Sequence, residues 1–458
     1  MLAPINRIPP EILALIPDFL DTRYRDKNVI ALTHVCRVWR EVFVSRSSLW
    51  SNFDCLDEEK TQVYFERSKS SPINLSLDLS EDTLPCDPFF QVIPHATGRL
   101  KSLFVEGSPE DVEVITPHLS HPAPLLEHLS ILSRCEGMPY RYLPLTYELF
   151  DGDLSSLHTL RLEYVCTGLP WRNMVNLTSF TLRCTPPGVV SVGQFLDFFE
   201  SAPYLEEVNL FFAIPTAGTR NGRVVSLECL KSMHIKNDDP PSVLLDHLLI
   251  PVGAKLEIEA KLLSSLIGEH LPRSLDNLKN FANFTAIRLH RTDMEFSGLN
   301  GQVKITLRTS RNHPTELTLG SLAELDTSKT ERLEIDEGDL PSKEPLYQAL
   351  IPMKDLRTLT LSECMSPDIL IRAMRPATSS SEVMVCPKLE EFVLVVYPFY
   401  FGVDLPEITS IIEMAAARAS RGGKLKTVRI FCRHGATDLD LSELRKHVWN
   451  VEYYAHTD

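Results

Sequence analysis

His118, His121 and His128 form the densest histidine group in the chain, and imidazoles in such a group can ligate a metal when one element aims them together. Pro117 and Pro122 bracket the first two, so a shared helical face is not expected and the group reads as a surface loop. The run Glu331–Asp339 holds five carboxylates, but not at the spacing of a calcium loop. Alternation across a strand accounts for it better. Nucleophile and phosphate signatures are missing as well. Gly188-Val-Val-Ser-Val-Gly193 has the wrong spacing for a nucleophile elbow. Arg421-Gly-Gly-Lys424 lacks the leading glycine and the following hydroxyl of a phosphate loop. The nearest pair among 10 cysteines, Cys166 and Cys184, is 18 positions apart, which removes paired-thiolate zinc and redox motifs. The expectation is a chain that is not an enzyme and has no catalytic residue, no cofactor and no metal. An enzyme with an unfamiliar site is the alternative.

What does recur is a spacing of apolar residues. Apolar, two variable, apolar, one variable, apolar is read at Leu100–Val105, Leu126–Ile131, Leu157–Leu162, Leu177–Leu182, Leu205–Leu210 and Leu230–Ile235. It returns at Phe284–Leu289, Leu356–Leu361, Leu389–Leu394 and Leu425–Ile430, with weaker copies at Gly253–Ile258, Pro314–Leu319, Thr330–Ile335 and Val448–Tyr453. The last two apolar positions are two apart, which is the period of a strand with one face buried. Helix signals fall between the strands. Ser108 precedes Pro109-Glu-Asp, Val192–Glu200 is amphipathic, Ser366 precedes Pro367, and Leu405–Ala419 runs to Gly422-Gly423. Strand, helix, strand implies a parallel sheet covered by helices on its outer face. The spacing resembles leucine-rich repeats, so residues 73–458 are expected to form an irregular leucine-rich repeat solenoid, a curved parallel sheet with outer helices. The variable residues then line the other face. Phe104, Arg161, Arg183, Phe211, Arg288, His290, Arg429 and Phe431 are the expected target-binding residues, because aromatic and arginine side chains concentrate binding energy. The four arginines are also the candidates for phosphate.

Composition narrows the partners. At 43% hydrophobic and 23% charged, the 458 residues can bury a large core. A net charge of −15 argues against a polyanion, so no nucleic acid is expected. Pro4, Pro9 and Pro10 interrupt any leader-like apolar run, and the longest apolar stretch, near Phe392–Val403, contains Pro398 and is too short to span a bilayer. No membrane role is expected, and scattered cysteines fit a reducing, intracellular compartment, cytoplasmic or nuclear.

Residues 5–50 lack the repeat. Ile8-Pro-Pro-Glu-Ile-Leu13 opens a proline-started helix whose Ile12, Ile16, Phe19 and Leu20 can form one apolar face. Pro17 ends or kinks that helix. A second helix starts near Asp26, a third spans Val35-Cys-Arg-Val-Trp-Arg40 onward, and Ser48-Leu-Trp50 closes the module. So small a unit buries little alone, which suits either a cap on the repeats or a surface completed by a partner. Residues 51–72 are expected as a helical linker.

The order Ile-Pro-Pro-Glu-Ile-Leu, Val-Cys-Arg-x-Trp-Arg, Ser-Leu-Trp resembles the F-box, and Phe65–Leu79 is similar to the segment that follows it in many fungal members. The resemblance implies an α/β protein made of a three-helix adaptor-binding module and a repeat array. It implies a Skp-type adaptor and, through it, a cullin–RING ubiquitin ligase as partners, with an unidentified target protein on the repeats. Carried over residue by residue, it places Ile8, Pro9, Ile12, Leu13, Ile16, Val35, Cys36, Trp39, Leu49 and Trp50 at the adaptor. The alternative is a repeat scaffold working outside any ligase.

Overall fold

The computed structural model describes residues 8–19, 25–79, 87–134, 143–145, 149–167, 173–185, 190–215, 222–262, 284–290, 293–298, 303–309, 322, 326–336, 343–362, 367–375, 384–396, 408–433 and 440–456. The weak repeat copy Pro314–Leu319 and Leu20 lie outside them. The chain divides into two units, Met1–Arg220 with Leu227–Cys229, and Asn221–Ser226 with Leu230–Asp458.

In the first unit, short helices α1 (Pro10–Leu13), α2 (Arg25–Thr33) and α3 (Arg37–Ser45) and a 3₁₀ turn at Ser47–Trp50 precede the sheet. The strands are β1 (Asn52–Asp54), β2 (Ile73–Asp78), β3 (Leu100–Gly107), β4 (His128–Ser133), β5 (Leu143–Leu145), β6 (Thr159–Glu163), β7 (Val165–Thr167), β8 (Ser179–Arg183) and β9 (Glu207–Phe211). The sheet runs β1-β2-β3-β4-β6-β8-β9, parallel throughout, and β5 pairs separately with β7. Helices α4 (Glu58–Ser68), α5 (Asp87–Ala96), α6 (Pro109–Ile115) and α7 (Val192–Ser201) connect strands of this unit. Residues 51–72, expected as a helical linker, supply β1, three residues too short to read as a strand from pattern, and then the helix α4.

Every well-matched copy of the repeat forms a strand, and its three apolar positions are no more than 6% exposed, from Leu100, Leu103 and Val105 to Leu425, Val428 and Ile430. The first apolar residue folds back locally in several copies. The amides of Leu126, Leu157, Leu177 and Leu389 donate to the carbonyls of Ala123, Leu154, Met174 and Cys386. These leucines are buried, and helix residues pack on the strand positions that follow them. Phe198 of α7 lies with its ring 4.4 Å from that of Phe180 on β8. Capping boxes at Ser108 with Asp111 and at Ser191 with Gln194 start α6 and α7, as the sequence predicts at Ser108.

The second unit holds β10 (Val225–Ser226), β11 (Ser232–Asn237), α8 (Ser242–Leu245), β12 (Leu248–Leu249), β13 (Lys255–Leu262), β14 (Phe284–Leu289), β15 (Asp293–Gly298) and β16 (Val303–Thr309). It continues with β17 (Arg332–Asp336), α9 (Lys343–Leu350), β18 (Thr358–Ser362), α10 (Pro367–Ala373), β19 (Glu391–Val396), α11 (Ile408–Ser420), β20 (Thr427–Arg433), α12 (Ser442–His447) and β21 (Asn450–His456). The expected run of parallel strands is interrupted among the described residues of this unit. β14, β15 and β16 form an antiparallel meander, entered by the parallel pair β13–β16 and left by the parallel pair β14–β17. From β17 to β21 the sheet is parallel again, and α9 to α12 neighbour one another in order.

Arg418 of α11 is fully buried. Its guanidinium donates from Nη1 to the carbonyl of Val385 at 2.8 Å and from Nη2 to that of Cys386 at 2.7 Å. Cys386 sits at φ 46°, the left-handed region, and the two hydrogen bonds fix that turn at the mouth of β19. Burial pushes the Cys386 thiol up to about 12, and burial also lowers Arg418.

Candidate functional site

The N-terminal module builds from its prolines. Pro9 is extended and Pro10 starts α1, which lasts one turn. Pro17 then falls in a 3₁₀ turn, Ile16–Phe19, so the first helix stops early, as its position predicts. The buried side of this segment is Leu13 and Pro17. The face expected from Ile12, Ile16 and Phe19 points elsewhere: Ile12 is 53% and Phe19 86% exposed, and Ile16 is half-buried. Between α2 and α3, Arg40 donates from Nε to the Thr33 carbonyl at 3.0 Å and closes the turn that carries Val35 and Cys36.

The tryptophans face inward. Trp39 is 6% exposed and packs edge-on to Phe43, their centroids 5.6 Å apart. Trp50 is 1% exposed; its indole N–H donates to the Phe43 carbonyl at 3.0 Å. The other side of the Trp50 ring meets Tyr64 edge-on at 5.0 Å and the Arg67 guanidinium at 4.4 Å, both on α4. Trp50 thus ties the module to the first helix of the sheet. Arg99 closes the far end of α4, stacked on Phe65 at 4.6 Å and donating to Ser68 Oγ at 2.8 Å. The helix ends at Ser68 and β2 begins at Ile73.

The ten adaptor-side residues therefore separate. Leu13, Trp39, Leu49 and Trp50, which the resemblance places at the adaptor, are buried within the module. Their apolar size suits interface and core alike, and here the few core positions of a small module claim them. Pro9, Ile12 and Val35 are exposed, and Ile8, Ile16 and Cys36 half-buried. The sequence reading missed Leu15, Ile30 and Val38, which are 49%, 41% and 43% exposed. Six large apolar side chains, Ile12, Leu15, Phe19, Ile30, Val35 and Val38, are thus left in solvent by one short module. Exposed apolar side chains are ordinary as scattered singles, and six within one short module is a high density of them.

The sheet faces carry cross-strand ladders. On the first unit, Phe104, Ser130, Arg161, Thr181 and Asn209 follow one another across β3-β4-β6-β8-β9. In the next row, Glu163 is 8% exposed and accepts from Arg161 Nη2 at 2.6 Å, with Arg183 at 3.6 Å. Arg183 also lies over the Phe211 ring at 5.0 Å. On the second unit, Arg288 meets Asp336 at 3.1 Å and Glu334 at 3.6 Å. Arg429 bridges Glu391 and, at 2.7 Å, Glu452; these contacts hold Glu452 below the usual carboxylate range. Phe431 stacks on Tyr454 with centroids 4.8 Å apart. His290 is half-buried, its Nδ1 3.9 Å from Asp293. All four candidate arginines are committed to carboxylates.

His118, expected in a surface loop, is exposed in the 3₁₀ turn Thr116–Leu119 with its ring 4.3 Å from that of Phe90, and His128 begins β4. Among the described residues, one group of three, His234, Glu257 and Glu259, brings ligand-type atoms within 4.8 Å of one another. Burial raises Glu259, but Lys236 at 2.8 Å and Arg308 at 3.2 Å outweigh it and hold the carboxylate below its usual range. A cation there would compete with two fixed positive side chains. Among the described residues no helix is long and apolar enough to cross a membrane.

A family model described as F-box-like matches residues 5–56. The chain carries an F-box-like domain in the module that exposes these six side chains, and the matched span runs through Trp50 into β1. No curated protein matches the chain.

Proposed function

We propose that this chain is the substrate-recognition subunit of a Skp–cullin–F-box type ubiquitin ligase, with no catalytic residues of its own. The observation that carries the reading is the exposed apolar set of the F-box-like domain, Ile12, Leu15, Phe19, Ile30, Val35 and Val38. A Skp-type adaptor covers these side chains and links the chain to a cullin–RING ligase. Buried Trp39, Leu49 and Trp50 hold the exposed ones in place. The buried apolar triplets repeat from strand to strand in the manner of leucine-rich repeats, and the sheet face they leave open holds the target protein. The work done is proximity: bringing a target beside the ligase raises its effective concentration there. The compartment is the cytoplasm or the nucleus.

Co-purification of the full chain with a Skp-type adaptor tests the reading. Binding is expected, and removal of residues 5–50 abolishes it. Adaptor binding that survives this removal sinks the assignment. Absent adaptor binding, with target levels unchanged when the protein is deleted, favours a scaffold outside any ligase.

A further inference from the structure

On the sheet of the first unit, Arg161, Glu163 and Arg183 share one face, and their contacts are unequal. Arg161 donates from Nε at 2.8 Å and from Nη2 at 2.6 Å to one oxygen of Glu163. Arg183 stands 3.6 Å from the other oxygen, beyond hydrogen-bond reach. Among the described residues the Arg183 guanidinium donates no hydrogen bond, although its plane carries five N–H groups. The carboxylate between them is buried, whereas the side chains of Arg161 and Arg183 are 47% and 44% exposed.

Arg183 is nevertheless held in place. Its guanidinium lies over the Phe211 ring at 5.0 Å, a contact that orients it without engaging its donors. The backbone on either side is fixed as well: the Tyr164 amide donates to the Arg183 carbonyl at 2.8 Å and the Cys184 amide to the Phe211 carbonyl at 2.6 Å. Phe212, next in the chain, is 40% exposed. An oriented arginine beside an exposed aromatic ring is the composition of a binding hot spot. Charge then selects the occupant. Two arginines and one carboxylate sum to a single positive charge. Glu106, in the same row on β3, is matched by Arg134 at 2.5 Å. Glu207 lies four residues before Phe211 along β9, about 13 Å away at the rise of a strand. One carboxylate neutralises the cluster. A phosphate dianion overshoots it and is repelled by Glu163.

We infer that Arg183, with Arg161 beside it, receives an aspartate or glutamate side chain of the target protein, and that an apolar side chain next to that acid covers Phe212. The inference rests on the reading that the sheet face holds the target, and it names the chemistry that face selects. The incoming carboxylate takes parallel N–H donors from the Arg183 fork, and Arg161 adds its remaining Nη1. A neutral amide in the same place gains the contact with Phe212 but loses the charge-assisted bonds.

The test uses the full chain and a fluorescein-labelled peptide, Gly-Leu-Glu-Leu-Gly, read by anisotropy beside its glutamine and phosphoserine counterparts. Saturable binding is expected, about tenfold tighter than that of the glutamine peptide. Arg183→Met removes this preference, Arg183→Lys keeps part of it, and Phe212→Ala weakens both peptides alike, each with an unchanged circular dichroism spectrum. Glu163→Gln tightens the glutamate peptide, because the competing carboxylate is gone, an effect that a purely structural ion pair does not produce. Equal binding of the glutamate and glutamine peptides, no saturation up to millimolar peptide, indifference to Arg183→Met, or unchanged or weaker binding in Glu163→Gln overturns the inference. So does tighter binding of the phosphoserine peptide, which would make this a phosphate site. Adaptor co-purification in the same preparations keeps the two readings apart. A failed peptide test with adaptor binding intact overturns this inference and leaves the ligase reading standing, and peptide binding without adaptor binding supports the acid site and overturns the ligase reading.

Discussion

Exposed and buried residues of the F-box-like domain should respond to substitution in opposite ways, and the structure sets the sizes. Phe19 is 86% exposed, so nearly all of its burial energy is available to a partner. Fully burying such a side chain is worth about 1.5–3 kcal/mol, which puts Phe19→Ala near 2 kcal/mol of adaptor affinity, or about thirtyfold in Kd. Leu15 and Val35, at 49% and 47%, have about half of that to give, about 1 kcal/mol each. The triple alanine variant should therefore lose between about a hundredfold and a thousandfold in affinity, with a change in folding stability within about 0.5 kcal/mol. Trp50→Ala behaves differently. It empties a site 1% exposed, removes the hydrogen bond to Phe43 and strips Tyr64 and Arg67 of their ring partner, a loss of about 4 kcal/mol of stability. Calorimetry against a purified Skp-type adaptor and urea denaturation of each variant separate the two effects. Unchanged affinity in the triple variant, or an unchanged urea midpoint in Trp50→Ala, would refute the division of these residues into surface and core.

Three further outcomes follow from the same geometry. Arg418→Ala removes two charge-assisted hydrogen bonds from a fully buried site and leaves the Val385 and Cys386 carbonyls unmet, so denaturant unfolding should show a loss of about 4 kcal/mol, with Arg418→Lys in between. Glu452 is held low by hydrogen bonds from Arg429 and Asn450, so the stability it contributes is fully present above about pH 4.3 and is lost as pH falls through the depressed folded value. Arg429→Met should flatten that acid limb in melts taken from pH 7 to pH 3. With Cys55 and Cys386 both pushed up to about 12 by burial, iodoacetamide at pH 8 should label exposed Cys229 in the native chain and reach those two only in urea, as peptide mass mapping will show.

Much of this fold is legible because its spacing has a local cause. Leu-x-x-Leu-x-Leu is visible since each copy enters a strand and buries alternate side chains within six residues, as the ten clear copies do. The meander was invisible for the complementary reason. Asp293–Gly298 and Val303–Thr309 alternate like strands but lack the leading leucine of the turn, because an antiparallel hairpin enters without one. Equally silent are Tyr164, Cys184 and Phe212, which follow β6, β8 and β9 at φ 56°, 52° and 52°. Glycine would have announced such positions; tertiary hydrogen bonds such as Cys184 N–H to the Phe211 carbonyl hold these instead, against a cost of about 1–2 kcal/mol per residue. In the module, proline spacing revealed where the first helix stops, whereas which apolar side chains face out depends on three helices meeting. No single-helix period carries that.

The open sheet faces show how register decides what residue type leaves ambiguous. Arg161, Arg183, Arg288 and Arg429 look alike in sequence, four guanidiniums on strands, each suited to phosphate. Pairing tells them apart. Arg288 stands between Glu334 and Asp336, and Arg429 between Glu391 and Glu452, so each of those sites is net negative and repels a phosphate even though exposed ion pairs are worth only about 0–1 kcal/mol to break. Arg161 and Arg183 share one carboxylate, Glu163, and leave a net positive charge beside the Phe211 ring. Of the four, that pair alone keeps the chemistry for an anionic group, and it does so because Glu163 falls opposite Arg183 when β6 pairs with β8. A shift of one residue in that register would turn Arg161 and Glu163 together to the other face of the sheet and leave Arg183 alone and unshielded.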